Sequence, residues 1–253
     1  MKISKQKCGI KLYSVYICKP LNKNLSTEVI LDYMNVNSLL FRFNAVLCLN
    51  EVPLFRGAIL KCIRDDTHLL FHNHVDDEHF RYGYPKVQYK SLSMHAGILC
   101  LGEGVDEMER LMKVFDKMMW IGQRKVLLDG GQAWTQETDV EIGDEGLYRI
   151  TDWLPLNEEN DDAFFRLKTD EQRFEFLQRI LVGNILSFAK GFGIFFTEQV
   201  QCEIQSIDGF RMIECKSVRM KSFDVVFSCN VHLPDFIGLG KHASFGCGVV
   251  KRL

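Results

Sequence analysis

Apolar and polar residues change period along this chain in a way that predicts a repeating order of strands and helices. Residues 10–18, IKLYSVYIC, and 39–49, LLFRFNAVLCL, mix β-branched and aromatic side chains with partial alternation, which predicts two strands joined by a polar connection. The period then lengthens. Pro53 marks a helix start, and Leu54, Ala58, Leu60 and Ile63 follow at approximately helical spacing. HLLFHNH, residues 68–74, returns to strand character, and KVQYKSL and HAGILCLG (86–92 and 95–102) predict two more strands. Past Gly104, VDEMERLMKVFDKMM predicts a helix with Met108, Leu111, Met112 and Phe115 on its apolar side. Residues 124–142, RKVLLDGGQAWTQETDVEI, read as further sheet.

Strand, helix, paired strands, helix, strand is the order of a split βαβ unit, allowing for additions. A second cycle follows an acidic linker, NEENDD, at Asn157–Asp162. Phe174, Leu177, Ile180, Leu181 and Ile185 form one stripe along residues 170–193, which end in glycines as a helix packed on a sheet does. FFTEQVQCEIQSI, FRMIECKSV and FDVVFSCNVHL (195–207, 210–218 and 223–233) then predict strands. The expected fold is α+β, two tandem ferredoxin-like (split βαβ) domains with antiparallel sheets, residues 1–146 and 147–253. The chain shows no internal sequence identity and no low-complexity tract.

A length of 253 residues with 47% hydrophobic residues suffices for two such cores. The formal net charge of -2 exerts no overall attraction on nucleic acid, so a polyanionic partner requires a local basic surface. One is available between Gly209 and Leu253, where Arg211, Lys216, Arg219, Lys221, Lys241, Lys251 and Arg252 outnumber Glu214, Asp224 and Asp235. The nine cysteines lack zinc-type pairing, since the closest two, Cys8 and Cys18, are ten residues apart; they read as reduced core thiols. No charged start followed by a sustained apolar segment occurs, and no stretch approaches the roughly 18 apolar residues of a membrane span. The cytosol is the expected compartment, with no membrane partner.

The most distinctive segment is GLGKHASFGCG, in which Gly238 and Gly240, then Gly246 and Gly248, form two Gly-apolar-Gly pairs. Glycine adopts positive φ without steric cost, so such a loop can turn its amides outward to hold phosphate oxygens. Tight turns and strand bulges use the same residue, which leaves two readings at this point.

The chain resembles the Cas6-type CRISPR endoribonucleases with a separate C-terminal domain. The strongest likeness is FDVVFSCNVHLPDFIGLGKHASFGCGVV, Phe223–Val250, similar to that family's terminal strand, LPD-x-IGLGK segment and glycine-rich RNA-binding loop. ILVGNILSFAKGFGI from Ile180, FRGAI from Phe55, FHNH from Phe71, YPKVQYK from Tyr84 and GEG at Gly102 support it in order. The resemblance implies tandem ferredoxin-like domains and metal-independent cutting of precursor CRISPR RNA within each repeat. Phe245 and Cys247 depart from it, standing where a polar or basic residue and an aromatic one are frequent; Lys86 stands where an aliphatic residue is usual.

Five of the seven histidines, His68, His72, His74, His79 and His95, fall between positions 68 and 95. In a strand, His72 and His74 project to one face. Cutting RNA without metal requires a base for the ribose 2'-OH, an acid for the departing 5'-oxygen and a cation for the phosphorane. Imidazole serves either proton transfer near neutral pH. His72 and His74 are therefore the candidate catalytic pair, with Arg56 or Lys90 supplying the cation, a 2',3'-cyclic phosphate and a 5'-hydroxyl as products, and Tyr13, Tyr16 and Tyr89 as lesser candidates. The competing reading is a metal site in His72, His74, Asp76, Asp77, Glu78 and His79; the resemblance implies no metal and no cofactor. Candidate RNA-binding residues are Gly238, Gly240, Lys241, His242, Ser244, Gly246 and Gly248, joined by Arg219 and Lys221, which share a strand face that Lys216 does not. The expected partner is CRISPR repeat RNA; association of two copies and membership of a CRISPR effector complex stay open. A noncatalytic repeat-binding protein and a metal-dependent phosphohydrolase are the alternatives.

Overall fold

The computed structural model describes residues 35–63, 83–114, 116–215 and 218–253. The strands expected over 10–18 and 68–74 lie outside the described residues, as do His68, His72, His74, His79, Lys216, Tyr13, Tyr16 and the acidic residues of the proposed metal cluster.

The first half contains β1 (Asn35–Val46), α1 (Val52–Cys62), β2 (Val87–Leu92), β3 (His95–Leu101), α2 (Gly104–Val114), a hairpin of β4 (Met118–Ile121) and β5 (Arg124–Leu127), and β6 (Gly131–Asp139). Its sheet has the order β2-β3-β1-β6, with antiparallel pairing at each step. With the hairpin set aside this is the ferredoxin-like βαββαβ arrangement. The odd-numbered side chains of β1, including Phe43 and Ala45, join Phe55 and Ile59 of α1 and Met108 and Leu111 of α2 in one core. The even-numbered Val36 and Leu40 enter a second core, with Trp153, Leu181, Phe188 and Phe227 from the other half. Both faces of β1 are thus covered, which explains why LLFRF alternates poorly: a strand buried on two sides has little polar face to display.

The second half contains β7 (Ile142–Trp153), α3 (Glu158–Arg166), α4 (Asp170–Gly191), β8 (Cys202–Cys215), β9 (Val218–Val231) and β10 (Val249–Arg252), in the antiparallel order β10-β7-β9-β8. Leu177, Leu181, Ile185 and Phe188 are the buried stripe of α4, as its periodicity predicts. The strand order repeats that of the first half with one substitution. Between β9 and β10, where the second helix of the unit belongs, the chain runs through the glycine segment and a single 3-10 turn, Ala243–Phe245.

Three local expectations change. The acidic stretch is not a linker but the start of α3: Asn157 caps it, accepting from the Asn160 amide at 2.9 Å while Asn160 Oδ1 accepts the Asn157 amide at 2.6 Å. Its acids favour the positive end of the helix dipole. Met118 and Met119 pair with Leu127 and Val126 in the hairpin rather than extending α2. The strands expected over 195–207 and 210–218 form one irregular strand, β8, which begins only at Cys202.

Candidate functional site

The glycine segment is built from the inside outward. Gly248 has φ +65°, and a Cβ there would collide with the Leu239 carbonyl oxygen, so the return of the chain to β10 requires glycine. Its amide donates to Asp152 O, while the Leu239 amide donates to Gly248 O at 2.8 Å. The amides of Phe245 and Cys247 donate to His242 O, and that of Gly246 to Ala243 O. Gly238 is held by its neighbours in the first half: its amide donates to Gln88 Oε1 at 2.9 Å, and its carbonyl accepts the Tyr84 hydroxyl at 2.9 Å. These amides therefore face inward, contrary to the outward cradle expected from the glycine spacing. The segment replaces a helix, and without that helix's internal ladder its buried N–H groups must find other acceptors. Among the described residues, the amides of Gly240, Lys241, Ala243 and Ser244 donate no hydrogen bond; Gly240 is half-buried and Lys241 exposed, while Ala243 and Ser244 are buried.

Beneath the segment lies a polar relay buried between the halves. Lys90 Nζ donates to Gln88 Oε1 at 3.0 Å, and Gln88 Nε2 donates to Tyr84 Oη at 2.9 Å and to the Pro85 carbonyl at 3.1 Å. Gln88 and Lys90 are wholly buried. Burial pushes the Lys90 amine down to about 7, with Cys247 acting in the opposite direction. Lys90, a candidate cation in the sequence, is thus a structural group beneath Gly246. Tyr89 is buried too, its ring 5.8 Å from that of Phe55; its hydroxyl has no hydrogen-bond partner among the described residues, and burial raises it.

Phe245 anchors the loop in the first core, together with Phe55 and Tyr89. The Arg56 guanidinium stands over its ring at 5.2 Å, and the His242 ring lies 5.9 Å away on the loop itself. The structure therefore brings Arg56 to the glycine segment, on which Ser244 is buried and Lys241 exposed. Lys86 secures a second junction: Nζ donates to Gly191 O at 2.6 Å, at the end of α4, and stands 3.2 Å from the Phe192 ring centroid. The position where an aliphatic residue was expected holds a helix C-terminus by its charge.

On its open side the segment forms one wall of a groove of about 700 Å³, lined by Gly240 and Lys241 and by Asn157, Asn160, Asn184 and Lys190. Lys241 Nζ donates to Leu156 O at 3.3 Å. The asparagines escaped the sequence reading because such residues are common in turns and caps. Gln88 and Lys90 left a legible sign: polar residues two apart in a strand whose neighbours are apolar.

The remaining candidates are dispersed. Arg219 is exposed on β9. Lys221 is paired with Asp161 Oδ2 at 2.6 Å and lies 4.0 Å from the Phe165 ring centroid. Arg211 is held by Asp152 and Asp224 at 2.6 and 2.7 Å. The basic excess counted along the sequence is thus partly neutralised in space. His95 directs Nδ1 to the Ser93 carbonyl at 2.8 Å.

This tandem ferredoxin-like architecture is that of a Cas6-type protein. Sequence models of the Cas6b N-terminal and C-terminal domains match residues 32–139 and 143–253, and the chain belongs to the Cas6b family. A solved Cas6b structure is 25% identical and superposes with a TM-score of 0.78 over 87% of this chain and 100% of that one. A Cas6b described as a CRISPR RNA processing endoribonuclease is 23% identical, TM-score 0.67, over the same shares; Csf5, a type IV Cas6 crRNA endonuclease, shares the fold at 15% identity and TM-score 0.52, over 86% of this chain and 99% of that one. An uncharacterized protein of Methanocaldococcus jannaschii is 32% identical over 104 residues, 41% of this chain and 69% of the relative.

Proposed function

We propose that this chain is a metal-independent endoribonuclease that cuts precursor CRISPR RNA within its repeats by attack of a ribose 2'-OH on the adjacent phosphate. The observation that carries the reading is the docked glycine segment with its polar groove, in a chain whose two halves match both Cas6b domains in order. RNA lies along the groove, its phosphates meeting the amides of Gly240 and Lys241 and the Lys241 ammonium. The inward-facing amides of Gly238, Gly246 and Gly248 fix the loop's shape and do not contact RNA directly. Arg219 extends the cationic surface, and Lys221 contributes once RNA phosphate displaces Asp161.

His72 and His74 carry the proton transfers. One takes the proton of the 2'-OH, the other gives a proton to the leaving 5'-oxygen, and Arg56 stabilises the charge that grows on the phosphorane. The products are a 2',3'-cyclic phosphate and a 5'-hydroxyl.

Purified protein is incubated with its repeat RNA in excess chelator, and the product ends are identified by mass spectrometry. Full cleavage with a cyclic phosphate supports the reading. Cleavage that appears only on adding a divalent cation would overturn it, and RNA bound but intact in both conditions would identify a noncatalytic repeat-binding protein.

A further inference from the structure

Two thiols of the second sheet lie outside the groove and its relay. Cys202 opens β8 and stands directly opposite Cys229 of β9 in the antiparallel register. Directly opposite residues of an antiparallel pair have Cα atoms about 4.5–5.5 Å apart, within the range of roughly 4.4–6.8 Å that a disulfide bridges. Strand spacing thus brings the pair close to bonding distance, and the side chains turn towards one another, with Sγ to Sγ 3.3 Å. Cys229 is 1% exposed. Cys202 is partly exposed and lines an open groove of about 850 Å³ with Glu145, Arg179, Gln201 and Asn230, large enough to admit a tripeptide-sized reagent.

The two sulfurs also differ in character. Cys229 Sγ accepts from the Cys202 thiol and from the Val231 amide at 3.3 Å. The hydrogen bond from Cys202 holds the Cys229 thiol below its ordinary range and raises that of Cys202, since one proton is shared between them.

We infer that Cys202 and Cys229 are a reversible redox dithiol, a modification site at which a small organic disulfide converts the pair to a cross-strand disulfide. Cys229 first ionises to solvent; Cys202, its own proton then passed along the sulfur–sulfur hydrogen bond to Cys229, attacks one sulfur of the reagent, whose S–S bond breaks so that its first half leaves as a thiol, protonated by solvent. Cys229 then gives up its proton to solvent and attacks the Cys202 sulfur of the mixed disulfide, expelling the second half, which solvent also protonates. The protein loses two electrons and two hydrogens, and the reagent becomes two thiols.

The test uses the full chain and oxidised glutathione. After alkylation of remaining thiols and tryptic digestion without reductant, peptides 191–211 and 222–241 are expected joined, the intact protein lighter by two hydrogens, and the link reversed by dithiothreitol. The oxidised protein's thermal midpoint is expected to rise by roughly 5 °C, because the bond closes a loop in the unfolded chain, while Cys202→Ala shows neither link nor rise. A glutathione adduct that persists on Cys202 while Cys229 remains open to alkylation after denaturation would overturn the proposal, as would two unmodified thiols.

Discussion

Gln88 Oε1 accepts the Gly238 amide at 2.9 Å across 150 residues of sequence, and the same oxygen accepts the Lys90 ammonium or amine at 3.0 Å. One buried side chain therefore seats the glycine segment and accepts from the buried Lys90 amine beneath it. Gln88→Ala leaves two buried donors without an acceptor, each costing about 1–3 kcal/mol. Chemical denaturation is expected to show a loss in that combined range, and RNA affinity is expected to fall even where circular dichroism shows a folded chain. An unchanged denaturation midpoint would remove the relay from the account of loop docking.

Lys90 gives the relay a pH signature. Its amine is pushed down to about 7 in the folded protein from an ordinary 10.5, so between those values the unfolded chain binds more protons than the folded one. Stability from this group therefore rises with pH across that window, by up to about 1.4 kcal/mol per pH unit, and is lowest below pH 7. Lys90→Met is expected to lose that slope, gaining on the parent protein at pH 6 relative to pH 9 in urea titrations. Parallel stability curves for the two proteins would contradict it.

Phe245 is the loop's apolar anchor. Truncation to Ala in a filled core costs about 3–5 kcal/mol. Phe245→Ala is expected to lower the unfolding free energy by that order, with Phe245→Leu retaining much of it, and to weaken RNA binding in the same rank order. Equal binding by all three proteins would detach RNA recognition from this anchor.

His72→Ala and His74→Ala test the proposed proton transfers. Each such step contributes about 10²- to 10⁴-fold, so each single variant is expected to lose at least about 10²-fold in single-turnover cleavage while binding the repeat normally. Undiminished turnover in the double variant would move the chemistry to other residues.

Lys241 and Lys221 separate exposed from committed charge. Lys241→Ala is expected to reduce the slope of log affinity against log salt by about 0.7 for single-stranded RNA. Lys221→Ala is expected to change it less, because Asp161 already neutralises that ammonium at 2.6 Å. Titrations at several salt concentrations distinguish the two; a larger change for Lys221 would reverse the assignment.

Strands and long helices were legible where one period ruled a segment. The stripe of α4 and the turn-in of α1 at Pro53 follow directly from spacing. α3 was hidden because its first turn is wholly polar and its buried anchor, Phe164, arrives late; the cap at Asn157 was the available signal. The glycine spacing revealed a tight, backbone-dense segment but not its direction, which depends on acceptors from β2 and from Asp152. Charge counted along the chain likewise overstated the cationic surface, because Arg211 and Lys221 meet Asp152 of β7 and Asp161 of α3, which lie outside the window of 209–253.

The replacement of a helix by a loop seated in its neighbour's core limits how the two halves of this chain can be recombined. Phe245 needs the socket made by Phe55 and Tyr89, and Gly238 needs the acceptor on Gln88. A chimera that joins the second half of this chain to a first half lacking that socket and acceptor inherits a plug without its match, so the two halves of this chain must be inherited as a set.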